Sequence, residues 1–233
     1  EKIAIEKEIQ IVICIDEFQQ ISDFEDSKTF QKKLRSVWQL QQHVSYCLFG
    51  SKKHLMNELF EKKNLPFYKF GDAIYLTKIE TKYWIEYICK RFENTGKHIS
   101  PELAEEICRL VDNHSSYVQQ LSWLLWIRTI NTATTEQLTY ALEDLLDQNN
   151  ILFQSETENL SAYQMNFLKA IVDGIHTKFS SKEVISKYNL GTSANIVRLK
   201  NALLQKELIE TNGKEIVLAD PVFGVWFKKE MLY

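Results

Sequence analysis

The chain has 233 residues, of which 45% are hydrophobic and 25% charged, with a formal net charge of −3 at pH 7. This composition is typical of a globular protein with one large domain or two to three small ones. The near-neutral charge excludes a global field that would draw the chain onto nucleic acid or a membrane surface. No apolar run reaches the roughly 18 residues of a membrane span, so we expect no membrane partner.

The first zone, residues 1–76, alternates strand and helix patterns, which predicts a parallel sheet with right-handed crossovers. Its first apolar run is typical of a strand buried on both faces of such a sheet. The predicted strands are residues 11–15, 44–49 and 73–76, and the predicted helices are about residues 28–42 and 53–61.

The second zone, residues 77–150, shows only helical patterns. Ser100 precedes a proline and a glutamate, which is a favourable helix start. Thr134 and Gln137 have the spacing of a capping box that opens another helix. We therefore predict a helical domain here.

The third zone, residues 155–233, predicts a winged helix. Capping boxes at Ser161 and Ser180 open two helices, and a third helix spans residues 193–206. The Asn212-Gly213 pair between two short apolar runs predicts a β-hairpin. A last amphipathic helix follows over residues 221–230.

The four cysteines, Cys14, Cys47, Cys89 and Cys108, lie inside apolar patterns at wide spacings. No pair has the close spacing of a zinc site. These positions predict buried, reduced thiols and a cytoplasmic protein.

The apolar run at residues 11–15 ends in two carboxylates, Asp16 and Glu17. Ligands bind at the carboxyl ends of parallel strands, so this pair is placed to hold a metal and to activate a water. Asp16 supplies the hard oxygen that Mg²⁺ prefers, and Glu17 supplies a base that accepts a proton from a water or orients it. The alternative is that both residues merely cap the next turn.

The second strand ends in Gly50-Ser51, again with a small polar residue at the carboxyl edge. One interpretation places Ser51 beside the two carboxylates. The other is an ordinary strand-to-helix turn in which Ser51 caps the helix that follows.

Four segments together resemble the AAA-type P-loop ATPases often called the archaeal ATPase family, which are related to the STAND signalling NTPases and end in a winged helix. The segments are I-D-E-F-Q-Q, L-R-S-V-W-Q, C-L-F-G-S and Y-L-T-K-I. Asp220 begins a stretch similar to the closing D-P-x-F-x-x-W-[FL] segment of that family. The resemblance covers essentially the whole chain.

The resemblance implies an α/β plus all-α fold with a P-loop NTPase parallel sheet, a helical lid and a C-terminal winged helix. These parts correspond to residues 1–76, 77–150 and 155–233. It implies that Asp16 lies in the Walker B strand and holds Mg²⁺ through water beside bound ATP, with Glu17 as the catalytic carboxylate. Ser51 occupies the place of sensor 1, which senses the γ-phosphate.

His114 occupies the position of a lid motif that approaches the nucleotide in this family. The matching stretch carries Ser115 where proline is usual. The alternative is a helix-junction histidine whose polar atoms are satisfied by the backbone.

The glycine-rich loop G-x-x-x-x-G-K-[ST], which cradles the phosphates in P-loop ATPases, does not occur in the sequence. We therefore expect this chain, taken alone, to bind ATP poorly and to hydrolyse it negligibly. We also expect it to be part of a longer ATPase, truncated before the Walker B strand. Loss of a neighbouring strand predicts an exposed sheet edge and homo-oligomers formed through it.

The winged helix predicts a DNA or protein partner. Asn195, Arg198, Lys200 and Lys214 are the candidate DNA contacts, on the recognition helix and the wing. Residues 155–233 contain ten basic and nine acidic residues, so they lack the excess of basic residues typical of a strong DNA binder. Two alternatives to an ATP-driven switch remain open, a DNA-binding regulator and an interaction module with a vestigial ATPase half.

Overall fold

The structure is a computed structural model that describes residues 1–231, with the side chains of residues 53 and 54 outside that description. The chain divides into two compact units, Glu1–Leu76 and Thr77–Tyr233. The first unit contains α1 (Lys2–Glu6), β1 (Ile11–Ile15), a 3₁₀ helix (Phe18–Asp23), α2 (Ser27–Trp38), β2 (Val44–Leu48) and α3 (Lys53–Glu61).

The two strands of the first unit form a parallel sheet in which Ile11 is the register partner of Val44 and Ile15 that of Leu48. One face of the sheet meets the core of this unit, to which Ile15 and Leu48 contribute. The prediction that β1 is buried on both faces is wrong, because the side chain of Val12 on the other face is 64% exposed. No described helix covers that face.

The core of the first unit is aromatic. Phe67 is fully buried and its ring meets that of Phe18 edge-on, with ring centroids 5.3 Å apart. Trp38 at the end of α2 stacks on Tyr46 of β2 at 4.1 Å. The amphipathic pattern of α2 therefore serves to hold the helix on one face of the sheet.

The predicted third strand at residues 73–76 is not formed. These residues are exposed and belong to no strand in the described chain. The physical reason is that an apolar, β-prone segment becomes a strand only when a neighbour satisfies its backbone groups, and no strand among residues 1–231 pairs with it.

The second unit begins with four helices and continues with a helix-rich C-terminal part. Its elements are α4 (Thr81–Glu93), α5 (Pro101–Leu110), α6 (Ser115–Arg128), α7 (Thr135–Glu158), α8 (Ala162–Val172), α9 (Lys182–Tyr188), α10 (Ser193–Gln205), β3 (Ile209–Asn212), β4 (Glu215–Leu218) and α11 (Pro221–Met231). The order from α8 to α11 is that of a winged helix, in which β3 and β4 form the antiparallel wing hairpin.

The caps predicted for several helices are present. The capping boxes that begin with Thr134 and Ser161 are complete, with Gln137 and Gln164 reaching back to the cap backbone. Helix α9 begins one residue later than its predicted box, because Ser181 caps it by accepting from the Val184 amide. Local sequence therefore sets where these helices begin.

The helices of the second unit share one continuous hydrophobic core from Trp84 to Phe227. Helix α7 runs unbroken from Thr135 to Glu158, so residues 150–155, where the sequence suggested a division, lie inside a helix. The part that resembles a lid and the winged helix are thus packed as a single body.

The closing segment that carries part of the family resemblance has a structural role. Asp220 Oδ1 accepts from the amides of Val222 and Phe223, which caps α11, while Asp220 Oδ2 accepts from the Tyr117 hydroxyl at 2.5 Å. Trp226 Nε1 donates to the side chain of Asn150 in α7 at 2.8 Å. These bonds tie the last helix to α6 and α7.

The cysteine prediction is wrong in part. Cys108 is buried, but Cys14 and Cys47 are exposed because they lie on the uncovered face of the sheet. All four cysteines are free thiols. Among residues 1–231, no helix has the length and apolar character needed to cross a membrane.

Candidate functional site

The carboxyl ends of β1 and β2 bring the predicted site residues of the first unit together. The Phe49 amide donates to the Ile15 carbonyl at 3.1 Å, and the Phe18 amide donates to the Phe49 carbonyl at 3.0 Å. These bonds extend the parallel pairing beyond the strands. They place Glu17 and Ser51 side by side, on the segments that follow β1 and β2, at the same edge of the sheet.

The Glu17 carboxylate is held by two side chains. Gln19 Nε2 donates to Glu17 Oε2, and Ser51 Oγ donates to the same oxygen at 3.2 Å. The backbone of Glu17 is left-handed, with φ 48°, which turns the chain sharply as it leaves β1.

The capping alternatives find no support for Glu17 and Ser51 in these contacts, whereas the Asp16 side chain does accept from the amide of the next residue. Glu17 precedes the 3₁₀ helix without a side-chain cap bond to it. Helix α3 begins after Lys52, so Ser51 does not occupy the cap position. The two side chains hydrogen-bond to each other, and neither of them caps a helix.

Hydrogen bonds from Gln19 and then Ser51 hold the pKa of Glu17 below its ordinary value. Donors aimed at a carboxylate stabilise its charged form. Glu17 is therefore an anion at neutral pH and a weak proton acceptor, since a base is strongest when its pKa lies near the working pH. The geometry therefore suits a carboxylate that orients a water by hydrogen bonding better than one that removes a proton from it.

Asp16 is exposed, and its Oδ1 accepts from the Glu17 amide at 2.8 Å. Mg²⁺ keeps several waters and is commonly bound by one or two carboxylates together with substrate phosphates, so a single exposed carboxylate fits that role. Within the described side chains no group of three or more His, Cys, Asp or Glu residues is placed to hold a metal alone.

Gln19 is a site residue to which the sequence patterns assigned no role. Its side chain is 2% exposed, its Nε2 holds Glu17, and its Oε1 is buried without a hydrogen-bond partner. A Cβ added at Gly50 would lie 1.9 Å from that oxygen, so any larger residue at this position would displace the buried Gln19 side chain. The signal in the sequence was the Asp16-Glu17-Phe18-Gln19 box.

His114 lies in the second unit, immediately before α6. Its ring is 4.8 Å from the Tyr117 ring, and its Nδ1 is buried without a hydrogen-bond partner in the described chain. The alternative in which the backbone satisfies the ring therefore does not account for Nδ1. Its nucleotide contact stays a prediction.

The four candidate DNA contacts differ in their surroundings. Asn195 Nδ2 donates to the Leu190 carbonyl at 3.0 Å, so this amide holds the turn before α10 and is not free to read a base. Arg198 on α10 and Lys214 at the wing tip are exposed, and Lys200 is half-buried. The exposed side of α10 also carries Val197, which is 62% exposed.

Comparison with known proteins finds a family model described as a probable winged helix domain, which matches residues 151–229. That range covers α8 to α11 together with the end of α7. No curated protein matches the sequence of this chain.

Among solved structures, the Walker-type ATPase of Pyrococcus abyssi superposes with a TM-score of 0.70 and 17% identity, covering 94% of this chain and 63% of that one. The Thermotoga maritima RuvB Holliday junction branch migration motor matches at a TM-score of 0.48 and 14% identity, covering 99% of this chain and 73% of that one. The Aeropyrum pernix ORC1 protein in complex with DNA matches at 0.45 and 12%, covering 94% and 64%.

The first of these matches establishes the fold. The chain has the fold of a Walker-type ATPase that ends in a winged helix, as the sequence predicted. The chain spans 63% of the length of that ATPase.

Proposed function

We propose that this chain supplies the metal- and water-facing half of an ATP-hydrolysing molecular switch, which turns over only when a Walker A loop completes the site. The observation that carries the proposal is the meeting of Glu17 and Ser51, joined by a hydrogen bond of 3.2 Å, at the carboxyl edge of a parallel pair. The ATPase fold of the first unit supports this assignment.

Each side chain has a defined part in the proposal. Asp16 would hold Mg²⁺ through water, and the metal would neutralise charge on the β- and γ-phosphates. Glu17, kept anionic by Gln19, accepts a hydrogen bond from the attacking water and aligns it with the phosphorus. Ser51 links that carboxylate to the end of β2, so a displacement of Ser51 would move the Glu17 carboxylate.

The absence of the phosphate loop from the sequence sets the expected behaviour of the chain alone. Without the backbone amides and lysine of that loop, the triphosphate charge has no partner. The 233-residue chain is expected to show no ATP hydrolysis above background. We propose that residues 77–150 act as the lid of the completed ATPase and that His114 faces its nucleotide.

The test uses a polypeptide in which a Walker A strand and loop precede Glu1. Glu17→Gln should retain ATP binding and lower kcat by about 100-fold or more, because misplacing an attacking group by about 1 Å costs roughly 10² in rate. Glu25→Gln removes the same charge from an exposed carboxylate of the same unit and should leave kcat unchanged. Equal kcat in the two variants would refute the role of Glu17.

A protein-binding winged helix is a second candidate, and one observation favours it over DNA binding. The exposed side of α10 presents an apolar side chain, Val197, beside a single exposed arginine, Arg198. Duplex binding instead needs several cations to neutralise phosphates. We propose that this helix recognises a protein surface in preference to DNA.

Electrophoretic mobility at low salt separates the two partners. The chain should not retard a duplex, and Arg198→Ala should change nothing in that assay. Retardation that Arg198→Ala and Lys214→Ala both weaken, and that rising salt abolishes, would instead assign this helix and wing to DNA.

A further inference from the structure

Cys14 and Cys47 are two thiols to which the proposed function gives no role. They are register partners in the parallel sheet formed by β1 and β2. Both are exposed and free, and both lie on the face of the sheet that no described helix covers. The fold therefore places two thiols side by side on one surface.

The surface around the pair is open to small solutes. Val12 and Ser45 are the register partners that precede the pair on the same face, because side chains alternate between faces along a strand. Val12 is 64% exposed, and Ser45 is exposed as well. An ion in solvent can therefore reach both sulfur atoms without a change in the fold.

The distance between the two strands decides which chemistry fits the pair. Neighbouring strands lie about 4.8 Å apart, so the Cβ atoms of register partners in a parallel pair are separated by about the same distance. A disulfide needs its Cβ atoms about 3.5–4.5 Å apart, so closing one would draw the strands together. Two metal–thiolate bonds of about 2.3 Å in a line span about 4.6 Å, which matches the strand spacing.

The number of ligands decides which class of metal ion fits. Zinc in structural sites takes four ligands, and among the side chains that the structure describes no group of three or more His, Cys, Asp or Glu residues is placed for a metal. Soft monovalent ions such as Cu(I) favour thiolates and are satisfied by two of them in a linear arrangement. The reducing conditions that keep both thiols free also keep copper in this state.

We propose that Cys14 and Cys47 form a two-coordinate site for one soft monovalent metal ion, of which Cu(I) is the representative. Each thiol releases its proton to solvent when its sulfur binds the ion, so one ion replaces two protons and no electron is transferred. The bound ion joins β1 to β2 one register pair before the strands end at Ile15 and Leu48. It therefore adds a side-chain bridge to the main-chain hydrogen bonds of the sheet.

This ion would lie apart from the two carboxylates. Asp16 is two residues beyond Cys14, which is about 6.6 Å along the strand direction. Hard Mg²⁺ prefers oxygen ligands, whereas a soft ion prefers thiolates, so the two positions differ in the ion that they take. Copper binding does not depend on the proposed function, because a chain that fails to hydrolyse ATP would still carry both thiols.

The test titrates the full chain, kept reduced and free of oxygen, with Cu(I) in competition with a chromogenic Cu(I) chelator. One ion should bind per chain, and X-ray absorption at the copper edge should show two sulfur neighbours. Cys14→Ser and Cys47→Ser should each weaken binding by about 100-fold or more, because loss of even an outer partner of a metal ligand costs about 10–100-fold. Cys89→Ser in α4 removes one thiol elsewhere and should bind Cu(I) unchanged.

A second pair of variants tests the register itself. When Cys14→Ser and Cys47→Ser are both present, Val12→Cys with Ser45→Cys rebuilds an in-register pair on the same face and should restore binding. When only Cys14→Ser and Val12→Cys are present, the thiols at positions 12 and 47 lie diagonally, about 8 Å apart. Two metal–thiolate bonds cannot span that distance, so this variant should bind as weakly as Cys14→Ser alone.

Hydrogen exchange of the β1 and β2 amides without copper checks that each variant is folded. Tight binding by the diagonal variant, or binding that survives Cys14→Ser, would overturn the proposal. Half an ion per chain together with a dimer on size exclusion would also overturn it, since the ion would then join two chains. Failure of Cu(I) to bind, while hydrogen peroxide converts the Cys14 and Cys47 thiols into an intramolecular disulfide and two waters, would assign the pair to redox chemistry instead.

Discussion

The close contact between Gly50 and Gln19 leads to a sharp prediction about the stability of the first unit. In Gly50→Ala the new Cβ would lie 1.9 Å from Gln19 Oε1. Gln19 is 2% exposed, so its amide cannot move away without shifting its neighbours and releasing Glu17. Overpacking of this kind costs about 1–3 kcal/mol, and a value near 2 kcal/mol lowers the folded-to-unfolded ratio of this unit by roughly 30-fold.

Hydrogen exchange of β1 and β2 amides measures this loss within the first unit. Gly71→Ala is the matched control, because a Cβ there has no atom within 4 Å and its φ is not left-handed. Substitution at such a site is expected to be neutral or to stabilise by about 0.4–1 kcal/mol through the unfolded chain. Equal protection of the two variants would refute the argument from strand-end packing.

The same variant should move the pKa of Glu17. Gln19 is the largest cause of its depression below 4.5, so releasing Gln19 should raise the pKa toward that value. A depressed carboxyl pKa contributes stability at pH above 4.5, and that contribution is lost as pH falls through the folded pKa. The stability gap between Gly50→Ala and the natural chain should therefore narrow in acid. An unchanged pKa for Glu17 in a carboxyl NMR titration would contradict this.

Three further predictions concern burial. Tyr117→Phe removes the hydrogen bond to the closing segment and should destabilise the second unit by about 1–3 kcal/mol in urea, whereas Tyr163→Phe, at an exposed ring, should not. Burial raises the pKa of Glu156, so the folded state binds its proton more tightly and loses stability as pH rises through that pKa. Glu156→Gln should therefore stabilise the chain at neutral pH. A lower free energy of unfolding in this variant would refute the reasoning. Iodoacetamide should label Cys47 in the folded chain but spare Cys108, whose pKa burial raises to about 11; equal labelling by mass spectrometry would contradict the fold.

The winged helix could be predicted from the sequence because its signals are local. The Asn212-Gly213 turn and the capping box at Ser161 act over two to four residues, and both form as expected. A capping hydroxyl or a left-handed glycine sets the backbone conformation of the few residues next to it, and this effect depends little on the rest of the chain. Only the Ser180 box was displaced, since Ser181 next to it caps equally well.

The sheet was harder to predict because its burial depends on which neighbours are present. The apolar run at β1 is typical of burial on both faces, yet Val12 and Cys14 are exposed. The 73–76 segment has strand composition, but no strand in the described part of the chain pairs with it. The sequence predicted the carboxylates and Ser51 as site residues. It assigned no role to Gln19, because which donor holds Glu17 depends on how the chain turns after β1, and that turn is seen only in the structure.

The unbroken helix α7 has a mechanical consequence. Its 24 residues make a rod about 36 Å long. The rod starts among the first helices of the second unit and ends inside the range matched by the winged helix family. A displacement at one end of this helix is transmitted to the other, because main-chain hydrogen bonds and the shared hydrophobic core hold its turns together. If α7 rotated, the winged helix would therefore move with it as part of the same rigid body.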